Sequence, residues 1–132
     1  MITRTGLHAI KAMAVLAELA ENEFMGATTI ADKIHAPRNY LGKLLQMLSK
    51  EGLVQGQKGF SGGFRLARPA SEISLFEIIE PIEHVSRMNG CFLGKKTCSE
   101  EHPCAVHENW KQVRGTYLRF LEETRLDTIA NG

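Results

Sequence analysis

Apolar residues recur at helical spacing in the first part of the chain. Leu7, Ile10, Ala14, Leu16 and Ala17, amid abundant alanine, predict a helix over residues 3–21. Phe24-Met25-Gly26 interrupts the pattern. Thr28 suits the N-cap of a short second helix, Thr29 to Ile34. His35-Ala36 makes a tight connection. Pro37 suits the first turn of a third helix, where its missing N–H would be unpaired anyway. Tyr40, Leu41, Leu44, Leu45 and Leu48 form that helix's apolar stripe, and Gly52 is placed to end it as a left-handed cap.

The pattern then changes. Leu53-Val54 and Phe64-Arg65-Leu66 flank a glycine-rich tip, which reads as a β-hairpin. Ser74-Leu75-Phe76-Glu77 is a capping box opening a further helix. That helix should run to Glu80 or Val85, with a kink or an early stop at Pro81. A polar segment from Asn89 to Pro103 follows. A last helix from Ala105 to Glu123 carries Val106, Trp110, Val113, Tyr117, Phe120 and Leu121 as its stripe, and Leu126 and Ile129 extend the apolar surface. The predicted fold is mainly α with a small β-hairpin: a winged helix-turn-helix over residues 1–70, then a loop and dimerisation helices over 71–132, in one compact domain. One small domain cannot easily bury both the first helix and the aromatic-rich last one. A two-fold homodimer packing them together is expected, with a palindromic DNA site to match.

Charge sharpens this picture. Between Pro37 and Arg68, six basic residues (Arg38, Lys43, Lys50, Lys58, Arg65, Arg68) meet one acid, Glu51, in a chain whose net charge is only +1. This basic block falls on the third helix and the hairpin, where a winged helix-turn-helix meets double-stranded DNA. Arg38, Asn39, Tyr40 and Lys43 lie early in the recognition helix, within reach of bases or phosphates. Tyr40 serves equally well as a core residue. Arg38 paired with a guanine edge would supply ~1–3 kcal/mol of discrimination. In the wing, Lys58, Ser61 and Arg65 suit backbone or minor-groove contacts. Gly62 and Gly63 allow either close approach to the duplex or a tight turn for its own sake.

Composition narrows the class further. The 132 residues are 43% hydrophobic and 23% charged, as expected of a globular chain. No stretch approaches ~20 apolar residues, so no membrane span is predicted. The N-terminus lacks the layout of a secretion signal, which points to the cytoplasm. No nucleophile–base pair, phosphate loop or paired carboxylates suggests an enzyme.

The chemistry concentrates in one segment, Cys91-Phe-Leu-Gly-Lys-Lys-Thr-Cys98-Ser-Glu-Glu-His-Pro-Cys104-Ala-Val-His107, which holds all three cysteines. An odd number of cysteines does not make a disulfide scaffold. Three thiolates and an imidazole suit an iron–sulfur cluster. Zinc and metal-free reactive thiols are the alternatives, although the usual paired Cys-x2-4-Cys knuckles of zinc sites are missing. His102, Lys95 and Lys96 read as solvated.

Four stretches together resemble the IscR/NsrR-type bacterial regulators (the Rrf-two superfamily) over nearly the whole chain. These are His8-Ala9-Ile10-Lys11-Ala12-Met13, Asn39-Tyr40-Leu41 with Leu44-Leu45, the wing from Gly59 to Pro69, and the three cysteines. The resemblance implies a dimeric DNA-binding transcription factor. Its iron–sulfur cluster would set DNA affinity in response to redox state, nitric oxide or iron–sulfur supply. Cys104-Ala-Val-His107 resembles the IscR branch, where a histidine three residues after the last cysteine ligates a 2Fe–2S cluster. That implies Cys91, Cys98, Cys104 and His107 as ligands, with 4Fe–4S as the alternative. The nitric-oxide-sensing branch draws an aspartate from the partner's first helix. Leu7 holds the matching position here and cannot ligate, while His8 beside it is a reserve ligand. Gly42 stands where IscR-like proteins carry glutamate, which separates this chain from IscR-type operator choice.

Overall fold

The computed structural model describes residues 2–96 and 98–131, with only the backbone of Asn89; Thr97, within the cysteine segment, lies outside the described residues. Helix α1 (Arg4–Ala17) is capped by Thr3, whose hydroxyl accepts from the Gly6 N–H at 3.1 Å. The Glu83 carboxylate accepts from the Thr3 N–H, which places a negative charge at the positive end of the helix. α1 ends at Ala17 rather than residue 21. Leu19 turns back onto the core, and Glu23 accepts from the Ala20 N–H at 2.9 Å.

Helix α2 (Ala27–Ile34) starts from Gly26, with no side-chain cap; Thr28 sits inside its first turn instead of capping it. His35 takes the left-handed conformation (φ 58°) and makes the turn into α3 (Arg38–Lys50), with Pro37 one step before the helix as its N-cap. Gly52 (φ 77°) closes α3 as expected. Its N–H reaches Ser49 O at 3.0 Å and the Leu53 N–H reaches Leu48 O at 3.1 Å, the Schellman arrangement.

Gly52 and Gly42 therefore make opposite predictions. A Cβ at either position meets no atom within 4 Å, so only backbone preference counts. Gly52→Ala, at positive φ, is expected to cost about 1–2 kcal/mol. Gly42→Ala, within α3, is expected to stabilise by up to about 1 kcal/mol. Urea denaturation of the two variants checks both signs.

Strands β1 (Val54–Gln57) and β2 (Gly63–Leu66) pair antiparallel, Val54 opposite Leu66 and Gln57 opposite Gly63. Met25 adds an isolated bridge on the other side of β2: its N–H donates to Phe64 O at 2.9 Å, and the Phe64 N–H donates back at 2.8 Å. Helix α4 (Leu75–Glu83) opens on the predicted capping box. The Ser74 hydroxyl accepts from the Glu77 N–H at 3.1 Å, and Glu77 accepts from the Ser74 N–H at 3.0 Å. α4 passes through Pro81 and ends at Glu83, where His84 turns left-handed.

Helix α5 (His107–Glu123) begins two residues later than expected. Helix α6 (Leu126–Ala130) is a separate element, set by an antiparallel bridge between Ser74 and Arg125. Leu75 N–H bonds Thr124 O at 2.9 Å and Leu126 N–H bonds Ile73 O at 2.8 Å, which brings α6 back onto α1. Met13, Ile30, Leu41, Leu45, Leu53, Ile78, Leu121 and Leu126 belong to one buried cluster. α5 gives it only Leu121 as a fully buried side chain, and leaves Val113 and Phe120 55% and 53% exposed. Among the described residues, no helix is long and apolar enough to cross a membrane.

Candidate metal centre and nucleic-acid interface

The thiol segment is held at its two ends. The 3-10 turn Val85–Asn89 leads in from α4, and α5 leads out. Between them no described residue from 90 to 106 is fully buried, so the segment rests on its own polar contacts. The Trp110 indole N–H donates to Gly90 O at 3.0 Å, and its ring lies 5.2 Å from that of Phe92. This clamps the start of the segment to the first turns of α5. Trp110 reads as an apolar stripe residue in the sequence; its place one turn after His107 is the signal for this second role.

The three expected thiol ligands converge, and His107 joins them through Cys98, while it also stands with Glu100 and Glu108 in a second, carboxylate-rich group. The sulfurs of Cys91, Cys98 and Cys104 all lie within 4.8 Å of one another. Cys91 Sγ is 3.7 Å from Cys104 Sγ, and Cys98 Sγ is 3.2 Å from His107 Nδ1. The His107 Nε2 atom is buried without a hydrogen bond and faces Glu100 Oε1 at 3.6 Å. A ligating imidazole is commonly oriented by a carboxylate on its far nitrogen, and Glu100 stands where such a partner belongs. Glu100 is in turn ion-paired to Lys111. The Lys111 ammonium, with His107 adding to it, holds the Glu100 carboxyl below its ordinary range.

The thiols differ. Backbone N–H donation from Lys95, against some burial, and then from Leu93, brings Cys91 down to about 7. The Cys104 N–H lowers Cys98, but burial and the neighbouring Cys104 and Cys91 sulfurs outweigh it and leave Cys98 raised. The donor set suits a soft or borderline metal centre. The void among the side chains is about 20 Å³, close to the space of one water-sized atom. A two-iron core requires the segment to open, which breaks no core packing. His102 is exposed and closes a turn with Ser99.

On the other face, α2 and α3 form the helix-turn-helix and the hairpin stands beside them. Asn39, Lys43, Lys58 and Ser61 are exposed. Arg38 is held by Asp32 through two hydrogen bonds, Nε at 3.1 Å and Nη2 at 3.0 Å. Both side chains are more than half exposed, so the pair contributes at most about 1 kcal/mol and is open to exchange for a phosphate or a base edge. Tyr40 packs its ring on the core and sets its hydroxyl 3.4 Å from His8 Nδ1. His8 thus joins Tyr40 within the protomer, a link from α1 to α3 that local sequence does not show. Arg65 donates to Gln55 at 3.1 Å and lies 4.8 Å above the Phe24 ring. Gly62 and Gly63 have structural reasons of their own. A Cβ would lie 2.1 Å from Gln57 O at Gly62, and 2.5 Å from the Met25 carbonyl at Gly63.

Residues 2–132 match a family described as Rrf2, iron-dependent transcriptional regulator. A protein of Aquifex aeolicus assigned as an HTH-type transcriptional regulator is 32% identical over 94% of this chain and 87% of its own. The HTH-type transcriptional regulator IscR of Klebsiella pneumoniae is 28% identical over 98% of this chain and 79% of its own. The solved structure of oxidized Staphylococcus aureus CymR superposes with a TM-score of 0.79 at 26% identity, covering 100% of this chain and 97% of that one.

Proposed function

The chain belongs to the Rrf2 family of DNA-binding transcriptional regulators, which are not enzymes, and from that premise we propose that it is a cytoplasmic homodimer whose affinity for a palindromic operator is set by an iron–sulfur cluster. Cys91, Cys98, Cys104 and His107 hold the cluster in this reading. The convergence of the three sulfurs, with His107 beside Cys98, is the observation that carries it. Three thiols and one imidazole would hold such a cluster, 2Fe–2S being the type favoured in this reading and 4Fe–4S the alternative.

When bound, the cluster supplies a redox couple and a reactivity toward oxidants and nitric oxide that protein side chains lack. The chain does the rest. Three thiolates and one imidazole would hold the group, so binding would release protons. Trp110 ties the segment to α5, the helix that presents the apolar face to a partner. A change in the segment thereby has a short path to the packing of two protomers. Their two recognition helices meet DNA through Arg38, Asn39 and Lys43, with the ring edge of Tyr40 beside them. The wings meet it through Lys58, Ser61 and Arg65 across the Gly62-Gly63 backbone.

A second reading uses the thiols without a metal. The lowered Cys91 thiol, 3.7 Å from Cys104, is the observation in its favour. Anaerobic reconstitution separates the two. The cluster reading expects a coloured protein with matched iron and sulfide, and an operator affinity that differs from that of the metal-free chain. Equal affinity of both forms for every duplex tested would overturn control by the cluster. Zinc without sulfide would reassign the site.

A further inference from the structure

Phe60 stands at the apex of the wing with its side chain fully in water, at 112% of the reference exposure; the next most exposed large hydrophobic, Phe92, is at 64%. The turn beneath it is firmly built. Gly59 (φ 107°) and Gly62 close the turn through the Gly62 N–H to Gly59 O, 3.1 Å, leaving Phe60 and Ser61 as its two central residues. Gly62 and Gly63 pack backbone against backbone, on Gln57 and on Met25, with no room for a Cβ. The tip is therefore held in place before any partner arrives, and ordering it on binding costs little.

We propose that Phe60 is an apolar wedge that enters the minor groove of operator DNA and packs against a base step there. The surroundings choose this occupant. No acidic residue lies between Glu51 and Glu72, and Lys58 is exposed beside the turn. The neighbours of Phe60 are glycine, serine, glutamine and lysine, so it does not belong to an apolar patch of the kind that protein partners use. A bare glycine backbone bearing a cation and a single aromatic side chain is suited to a polyanion with a narrow groove. Aromatic wedges of this kind unstack base steps and prefer deformable pyrimidine–purine ones.

The inference rests on the hairpin being a DNA-contacting wing. The test begins with a duplex selected from a random pool by the wild-type protein, metal-free and reconstituted. Phe60→Ala is expected to bind that duplex roughly 10-fold more weakly, the usual scale for losing one aromatic–base contact. Phe60→Trp should keep the affinity. An unchanged salt slope in Phe60→Ala, against a slope reduced by about one in Lys58→Ala, separates wedge from phosphate contact. A 2-aminopurine placed under the wing should brighten with wild type and stay quenched with Phe60→Ala. Unchanged melting temperature excludes a folding defect, since the side chain touches nothing. Selection of no sequence by the wild type overturns DNA recognition and the wedge together. A selected duplex that Phe60→Ala binds as tightly, or whose 2-aminopurine stays quenched with wild type, overturns the wedge alone.

Discussion

Cys104→Ala is expected to fold and dimerise yet to carry almost no iron or sulfide. Cys104 is central to its segment in three ways. Its sulfur is 3.7 Å from Cys91, its N–H donates to the Cys98 sulfur, and its carbonyl accepts from the His107 N–H at 3.1 Å. Removing the side chain takes away one of four donors and leaves the other three less well arranged. Losing an outer-layer partner of a metal ligand already costs 10–100-fold in affinity, so losing the ligand itself should cost more than about 100-fold. The fold should not notice, because among the described residues no fully buried side chain lies between 90 and 106. Iron and sulfide assays after anaerobic reconstitution give the answer, with melting of the two metal-free proteins as the control. His107→Ala should give a milder result: some cluster, with a shifted spectrum. A Cys104→Ala protein with full iron and sulfide would remove Cys104 from the ligand set.

Phe120→Glu is expected to split the dimer and lower affinity for a two-half-site operator by about 100-fold or more, while affinity for a single half-site stays unchanged. α5 is 17 residues long, about 25 Å, with Leu121 as its one fully buried residue. On one side of it lies a groove of about 430 Å³ lined by Ile2, Leu7, Ile10, Phe120 and Ile129. On the other lies one of about 840 Å³ that includes Met47, Ile82, Met88, Val113 and Tyr117. A two-fold interface brings the same patch of both protomers together, and in the proposed dimer this ridge and its grooves would be that patch. In that dimer a glutamate at the ridge would be an uncompensated buried charge, which is strongly destabilising. Sedimentation at micromolar concentration reads the assembly, and anisotropy on one-site and two-site duplexes reads its consequence. A variant that remained dimeric would move the interface off this face.

The elements most legible in the sequence were those fixed by short-range chemistry. The Ser74–Glu77 box, the Gly52 cap and the leucine stripe of α3 each depend on residues within one or two turns, and each is where the pattern put it. The misplaced boundaries have distant causes. α1 stops at Ala17 because Leu19 finds the core, and α6 exists because Arg125 meets Ser74, some fifty positions earlier in the chain. In the candidate centre, the nearness of Cys91, Cys98 and Cys104 was readable from spacing, whereas His107 as a ligand came only from the resemblance. The clamp of Trp110 on Gly90 and the stance of Glu100 behind His107 were not readable, since both need the segment's folded path. The two glycines of the wing had an ambiguous meaning in sequence, and the Met25 backbone supplies a reason for one of them.

The paired bonds between Met25 and Phe64 have a mechanical consequence. They fasten the hairpin to the strand-like link between α1 and α2, so that in the DNA-bound dimer proposed above wing and helices would move together. In the dimer proposed above, a change at the sulfur atoms would act through how the two protomers are set relative to each other. On a double helix that setting has a natural ruler, since each added base pair turns the second half-site by about 34°. If the proposed cluster sets that angle, the sensor state of the dimer would be written in the spacer length it prefers.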